Sequence, residues 1–141
     1  MRLLIALLTV SILFISCKKK KPEKVDAQFL NGYWEIDYVI MNDGSKKEYN
    51  FNEYVDYFET KNKTGFRTKV KPNFNRKYTS NFQKINYTLE KKNDTILIKY
   101  KSSTTIITEK LFSTNKNKLG IKSENGNLYF YKKYLPVIIE D

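Results

Sequence analysis

The sequence predicts an all-β domain, folded as an antiparallel up-and-down meander of about eight strands. Apolar and aromatic residues recur with period two in short segments, which is typical of half-buried strands. Polar turn segments, some with Asp-Gly or Asn-Gly, separate these strands. Aromatic residues make up 15% of the chain, and they favour strands and bury large areas. No convincing amphipathic helix competes with this pattern.

The first predicted strand, residues 33–41, carries alternate apolar residues that we expect on one face: Trp34, Ile36, Tyr38 and Ile40. It ends at the turn Asp43-Gly44. Seven further strands are predicted at residues 54–59, 66–70, 82–90, 95–100, 104–112, 119–123 and 128–132. Residues 72–80 are polar, basic and interrupted by proline, which indicates a loop or an irregular edge. Eight antiparallel strands with short connections can close into a barrel that removes exposed edges, and we expect that closure here.

Residues 1–16 are organised as a secretory signal. A basic start precedes an apolar run over residues 3–15, which is shorter than the roughly 20 residues that a membrane-spanning helix needs. The segment Phe14-Ile15-Ser16-Cys17 resembles the lipobox of bacterial lipoproteins. That resemblance implies a diacylglycerol on the Cys17 thiol, cleavage just before Cys17, and an acyl chain such as palmitate on the new amine.

Cys17 is the sole cysteine, so an exported chain has no second thiol with which to form an internal disulfide. Lipidation gives this thiol a use, whereas the alternative is an incidental cysteine after an ordinary cleavage site. Two or three acyl chains on one residue hold a protein durably in a membrane. Residues 17–27, with the run Lys18 to Lys21, are predicted to form a lysine-rich tether, and residues 28–141 the folded domain.

The start of the mature chain resembles that of lipoproteins of the Bacteroidota, in which acidic residues soon after the cysteine mark proteins for the cell surface. Lysines stand there instead, which favours the periplasmic face of the outer membrane. The formal net charge is +11, and Arg2 is the only charged residue of the signal. We interpret the excess lysine as a solvated face, with contact to an anionic membrane surface or an acidic partner as the alternative. Nucleic acid is not an expected partner in this compartment.

The segment Gly32-Tyr33-Trp34 opens the first strand with the Gly-x-Trp motif of lipocalins, and the chain resembles a reduced, lipocalin-like protein. The resemblance implies that Trp34, with Gly32 beside it, plugs the closed end of an eight-stranded barrel whose open end admits small hydrophobic ligands. In many lipocalins a basic residue near the last strand packs over the tryptophan, a role that falls here to Lys132 or Lys133. The alternative for Trp34 is an ordinary core aromatic.

Aromatic residues on the predicted strands either line such a cavity or fill it: Tyr38, Tyr54, Phe58, Phe66, Tyr87 and Phe130. Asp56 shares its strand face with Tyr54 and Phe58, so we expect its side chain to point inward. An ionised carboxylate there needs a cationic partner, for which Arg67 or a lysine is available. These rings and Asp56 are the predicted ligand-binding residues, with a turn-end or barrel-mouth position as the alternative for Asp56.

The chain contains no histidine, and lipidation commits its only cysteine. A thiolate–imidazole pair, a Ser-His-Asp triad and a typical zinc site are therefore excluded, and no catalytic residue, metal or cofactor is predicted. Glu35 and Asp37 alternate with apolar residues as on a solvent face, which leaves a carboxylate-based hydrolase as a minor alternative.

The predicted function is the non-enzymatic binding of a small apolar or amphipathic molecule, or of an envelope protein, at one end of the barrel. The alternative is an interaction protein whose barrel is filled by its own side chains. Examples of that class are an envelope assembly factor and an immunity protein against a toxin delivered to the periplasm. Cavity volume separates these two functions.

Overall fold

The computed structural model describes residues 27–138, and for residues 113 and 114 only the backbone. The predicted signal, Cys17 and the lysine run that follows it lie outside these residues. A single 3-10 turn, Gln28–Leu30, precedes ten strands: β1 (Gly32–Ile40), β2 (Lys46–Glu48), β3 (Val55–Lys61), β4 (Thr64–Pro72), β5 (Tyr78–Thr79), β6 (Ile85–Lys92), β7 (Thr95–Lys101), β8 (Ile106–Asn115), β9 (Lys118–Lys122) and β10 (Leu128–Lys133). No helix in the described part of the chain has the length and apolar content needed to cross a bilayer.

Eight of these strands form a closed antiparallel barrel in the order β1, β3, β4, β6, β7, β8, β9 and β10, and β10 pairs with β1 to complete the circle. These eight correspond to the predicted strands, so the all-β meander and its closure are confirmed. The architecture is consistent with a lipocalin-like barrel. Two short strands are additional: β2 pairs with the second half of β1, and β5 pairs with the end of β4. The segment predicted as a loop or irregular edge thus contains β5.

A β-bulge in β1 overturns the predicted alternation of that strand. The register with β10 shifts between Ile36 and Tyr38, so one extra residue reverses the faces of all that follow. Val39 is therefore only 3% exposed, and it pairs with Tyr129, which packs against the core. Tyr38 instead stacks on Phe130 outside the barrel, with 4.3 Å between ring centroids. The expectation that Tyr38 and Ile40 share the face of Trp34 is wrong.

The closed end of the barrel is built around Trp34. Its indole Nε1 donates a hydrogen bond to the carbonyl of Leu30 in the 3-10 turn, at 2.7 Å. On the other side, Lys133 Nζ lies 4.3 Å from the centre of the Trp34 ring and donates to the carbonyl of Asn31 at 2.6 Å. Of the two lysines named by the lipocalin resemblance, Lys133 is the one that packs over the indole.

Two backbone details complete this end. Gly32 has φ +110°, and a Cβ at that position would stand 2.9 Å from Lys133 Nζ, so the glycine allows the lysine its place. Ala27, which the sequence assigned to the tether, is 2% exposed and packs into the core.

The half of the barrel above this plug is filled by its own side chains, because the inward-facing residues there are large and apolar. They include Leu30, Trp34, Phe58, Leu89, Ile98, Leu111, Leu119 and Ile121. Such dense filling is usual in small barrels. The interior of this half is therefore a packed core.

We expect Gly32→Ala to destabilise the protein more than Gly44→Ala. Both glycines have positive φ, so each substitution introduces backbone strain of about 1–3 kcal/mol. At Gly44 the new Cβ meets nothing within 4 Å, whereas at Gly32 it displaces the Lys133 ammonium from Trp34. Urea denaturation measures both free energies of unfolding. Equal losses would mean that the lysine contact does not depend on Gly32.

Candidate functional site

The mouth of the barrel is the end opposite the Trp34 plug, and two cavities open there. Their volumes are about 520 Å³ and about 400 Å³. The larger lies beside β4, β6, β7 and β8, and the smaller lies beside β1, β10 and the segment before β3. Three charged residues of β3 and β4 line both cavities, namely Asp56, Arg67 and Lys69. This charged group is the common floor of the two cavities.

The pairing of β3 with β4 directs these three side chains inward. Residues directly opposite each other in an antiparallel pair share a face, and Phe58, which is fully buried in the core, pairs with Arg67. Asp56 pairs with Lys69 on the same face. The predicted inward direction of Asp56 and its partnership with Arg67 are confirmed.

The apolar residues of β4 consequently face outward, which corrects the inward position expected for Phe66. Its ring lies 5.9 Å from that of Tyr57, and Lys84 Nζ lies 4.1 Å from its centre. The connection between β4 and β6 covers part of this outer face, where the Thr68 hydroxyl donates to the Phe82 carbonyl at 3.3 Å. Because this connection shields the outer face of β4 from solvent, apolar side chains are stable on that face. The polar side chains of β4 can then lie on the inner face.

Arg67 is the centre of the charged floor, and its side chain is 17% exposed. Its Nε and Nη2 donate to the two carboxylate oxygens of Asp56 at 3.2 and 3.0 Å, a bidentate geometry. Nη2 also donates to the Tyr131 hydroxyl at 2.9 Å, and Nη1 reaches Glu109 at 3.5 Å. The guanidinium lies over Phe58, 5.1 Å from the ring centre, so it separates the apolar core from the mouth.

The other polar groups of the floor are also satisfied. Tyr100 donates its hydroxyl to Glu109 at 2.9 Å, and Lys69 Nζ lies 3.4 Å from Asp56. Within the described residues, no buried side-chain nitrogen or oxygen lacks a hydrogen-bond partner. Together with Glu109, the floor contains two cations and two carboxylates. It is therefore formally neutral, which limits the cost of burying charge.

The electrostatics of the floor fix its protonation states. Burial alone raises the pKa of Asp56, but Arg67 and then Lys69 outweigh it, and the net pKa lies below the ordinary 3.8. Asp56 is therefore ionised at neutral pH. Burial raises the pKa of both Tyr100 and Tyr131, so these phenols keep their protons for the hydrogen bonds just described.

The walls and rim of the mouth are mainly apolar. Ile85, Ile107 and Phe82 line the larger cavity and are about half exposed. Ile36, Tyr54, Tyr129 and Phe51 line the smaller one, and Phe51 is 84% exposed. Lys69 is the most accessible charge of the floor, at 51% exposure. The mouth thus offers apolar surface at its rim and an ammonium group at its base.

The predicted ligand-binding residues occupy three different places. Tyr54 and Asp56 line the mouth cavities. Phe58 and Tyr87 are buried in the core below, where the Tyr87 hydroxyl lies 2.6 Å from that of Thr60. The remaining three rings, Tyr38, Phe66 and Phe130, lie outside the barrel.

Glu35 and Asp37, the carboxylates considered for hydrolysis, lie apart from the mouth cavities. Lys132 Nζ approaches both, at 3.8 and 3.6 Å. Over residues 27–138, no group of three or more carboxylate, cysteine or histidine side chains is placed to hold a metal ion. At the mouth, the described residues bring together apolar side chains, hydrogen-bonding groups and charges.

Sequence reasoning missed Glu109, Tyr100, Tyr131 and Lys69 as members of this site. For Glu109 a signal was present, because it stands between Ile107 and Leu111 in the apolar alternation of its strand. A carboxylate in such a position faces the core and needs a cation. Lys69 also carried a signal, because it stands two residues after Arg67 and therefore shares its strand face. Tyr100 and Tyr131 carry no comparable signal, since only the pairing of strands around the barrel brings them to Arg67.

Replacement of Arg67 by methionine is expected to cost about 3–5 kcal/mol of unfolding free energy at neutral pH, because it leaves Asp56 buried without its main cation. Arg76→Met, at an exposed arginine, should change stability by no more than about 0.5 kcal/mol. Urea denaturation against pH gives a second readout. In the native protein the lowered pKa of Asp56 stabilises the fold above roughly pH 4, and this contribution is lost as the pH falls further.

In the Arg67→Met variant this contribution should shrink. Only Lys69 then opposes the effect of burial on the pKa of Asp56, so the loss of stability as the pH falls below about 4 should be smaller than in the parent. Parallel pH profiles of the two proteins would contradict the assigned role of Arg67.

No protein-family model matches this sequence, and neither the curated proteins nor the solved structures contain a match to it. The likeness to lipocalins therefore depends on the barrel architecture and on the geometry around Gly32, Trp34 and Lys133 alone.

Proposed function

We propose that this protein is a non-enzymatic lipoprotein of the bacterial cell envelope whose barrel binds a small amphipathic molecule at its mouth. The observation that carries the proposal is the larger mouth cavity of about 520 Å³, with apolar walls above a charged floor. Cavities of roughly 300–1,000 Å³ are the usual size for small-molecule sites. Burial of apolar surface supplies the affinity in such sites, and a few polar groups set the orientation.

The position of Lys69 supports an acidic rather than a basic head group on that molecule. The two carboxylates of the floor already accept hydrogen bonds from Arg67, whereas the Lys69 ammonium is half exposed and faces both cavities. Lys69 already pairs with Asp56, and an acidic head group could form a second ion pair with the exposed side of its ammonium. The apolar part of the ligand would then lie against Ile85 and Ile107. A cationic ligand would meet an ammonium at the same place.

The state of the carboxylates supports a binding role over catalysis. A general acid at neutral pH needs a raised pKa, and that of Asp56 is lowered. Glu109 accepts hydrogen bonds from Tyr100 and Arg67, which hold it in the wall of the cavity. Both carboxylates are thus engaged in maintaining the site.

The envelope location rests on the sequence. The signal over residues 1–16 and the lipobox-like segment ending at Cys17 support export and lipid anchoring. The lysines after Cys17 support the periplasmic face of the outer membrane. Membrane lipid is therefore the first proposed partner, and the mouth ligand is the second.

A charge on the wall of the larger cavity should weaken ligand binding. We expect Ile107→Asp to weaken binding of the fluorescent apolar probe N-phenyl-1-naphthylamine by about tenfold or more, since it places a carboxylate against the apolar part of the probe. Phe112→Asp is the matched control on the same strand. Phe112 is 41% exposed against 48% for Ile107, but it packs on Phe130 outside the barrel.

Equal binding by the two variants would place the probe elsewhere and reject the mouth as the site. Native mass spectrometry of the protein purified from its own membranes then identifies the class of the ligand. A mass excess that lipid extraction removes, and that Ile107→Asp lacks, is the expected result.

An interaction protein is the second candidate, and two observations favour it. The closed half of the barrel is filled by its own side chains, and Phe51 at the rim is almost fully exposed. Exposed apolar side chains around a rim also suit a protein partner. Native mass spectra without any bound small molecule, together with a co-purifying protein that Phe51→Asp releases, would select this candidate.

Lipid anchoring is tested by Cys17→Ser. We expect the variant to leave the membrane fraction at high ionic strength and to lose labelling by palmitate, since the thiol that carries the lipid is gone. High salt removes electrostatic contacts between the lysines and the bilayer. Retention of the variant in salt-washed membranes would contradict the anchor.

A further inference from the structure

Exposed lysines collect at the closed end of the barrel. Three hairpin turns meet there, and they carry Lys61 and Lys63, then Lys92, then Lys116 and Lys118. All five side chains are exposed, and among the described residues none of them takes part in an ion pair. Asp94 is the single acidic residue in these turns. The closed end is therefore strongly cationic.

The mouth also carries basic residues, but acidic residues are interspersed among them. Counted with the adjoining strand ends, its connections carry six basic residues: Lys46, Arg76, Lys77, Lys84, Lys101 and Lys122. They also carry four acidic residues, namely Asp43, Glu48, Glu53 and Glu124. The closed end differs because a single acidic residue, Asp94, stands among its five lysines.

The chain that precedes the domain also joins it at the closed end. Ala27 is buried there beside the 3-10 turn, so the lysine run at residues 18–21 is connected to the same end. A cleft of about 620 Å³ lies between the 3-10 turn and the turn from β8 to β9. Asn31, Asn117, Lys116 and Lys133 line it, and ammonium and amide groups are hydrogen-bond donors to phosphate oxygens.

We propose that the closed end is a docking surface for an anionic lipid bilayer. Lysines near a bilayer that contains acidic lipids are attracted to it, and the attraction decays within a Debye length, so only the end that faces the membrane contributes. Five turn lysines at one end, with the tether leaving from that end, satisfy this requirement. The mouth then opens away from the membrane. This proposal is independent of any ligand in the mouth.

The test measures the partition of residues 17–141, with Cys17→Ser, onto phosphatidylcholine vesicles with and without phosphatidylglycerol. This chain contains the whole described domain and lacks the apolar signal. One variant reverses a lysine in each closed-end turn: Lys61→Glu, Lys92→Glu and Lys116→Glu. The matched control makes the same change in net charge at exposed lysines elsewhere: Lys47→Glu, Lys84→Glu and Lys101→Glu. Circular dichroism is used to check that both variants are folded.

The closed-end variant should bind phosphatidylglycerol vesicles about tenfold or more weakly than the parent, and the control within about threefold. Equal losses in both variants would show a general charge effect and overturn the proposal, as would an unchanged closed-end variant. Binding of the parent to heparin but not to the anionic vesicles would overturn it in favour of a soluble polyanion.

Discussion

The buried guanidinium of Arg67 is the constraint on which the rest of the barrel depends. A cation inside a protein costs several kcal/mol unless opposite charges and hydrogen-bond acceptors surround it. Here β3 supplies Asp56, β8 supplies Glu109 and β10 supplies Tyr131, so strands from opposite sides of the barrel must close before the charge is satisfied. The network therefore makes closure specific: a strand slipped by one residue would leave Arg67 without its partners.

The same network also forms the boundary between the packed core and the open mouth. On one side Arg67 lies over the ring of Phe58, and below it apolar side chains fill the barrel down to Trp34. On the other side the charged group needs a polar or solvated environment, which an open mouth provides. With an apolar residue at position 67, no buried charge would separate the packed half of the interior from the open half.

Much of this fold is predictable from the sequence, because the period-two patterns and turn residues are local signals. They identify the eight barrel strands, and the Gly-x-Trp motif locates the closed end at Gly32 and Trp34. The failures concern which face points inward. A bulge in β1 turns Tyr38 outward, and a covering connection makes the outer face of β4 apolar, so Phe66 lies outside the barrel. Neither effect is a property of a single strand. Inference from alternation assumes a strand without a bulge that has one buried face and one solvent-exposed face. The bulge breaks the first assumption in β1, and the covering connection breaks the second in β4.

The two ends of the barrel differ in surface chemistry, and the end at which the preceding chain joins the domain gives this difference a direction. Ala27 lies at the plugged, lysine-rich end, whereas Phe51, Ile107 and the cavities lie at the other. The stretch from Cys17 to Ala27 spans at most about 35 Å when fully extended, so an acylated Cys17 would hold the plugged end close to the bilayer. Attraction between the turn lysines and acidic head groups would then favour an upright barrel. A ligand or partner would reach the mouth from the aqueous side, and the lipid anchor would determine where the barrel stands without taking part in what it binds.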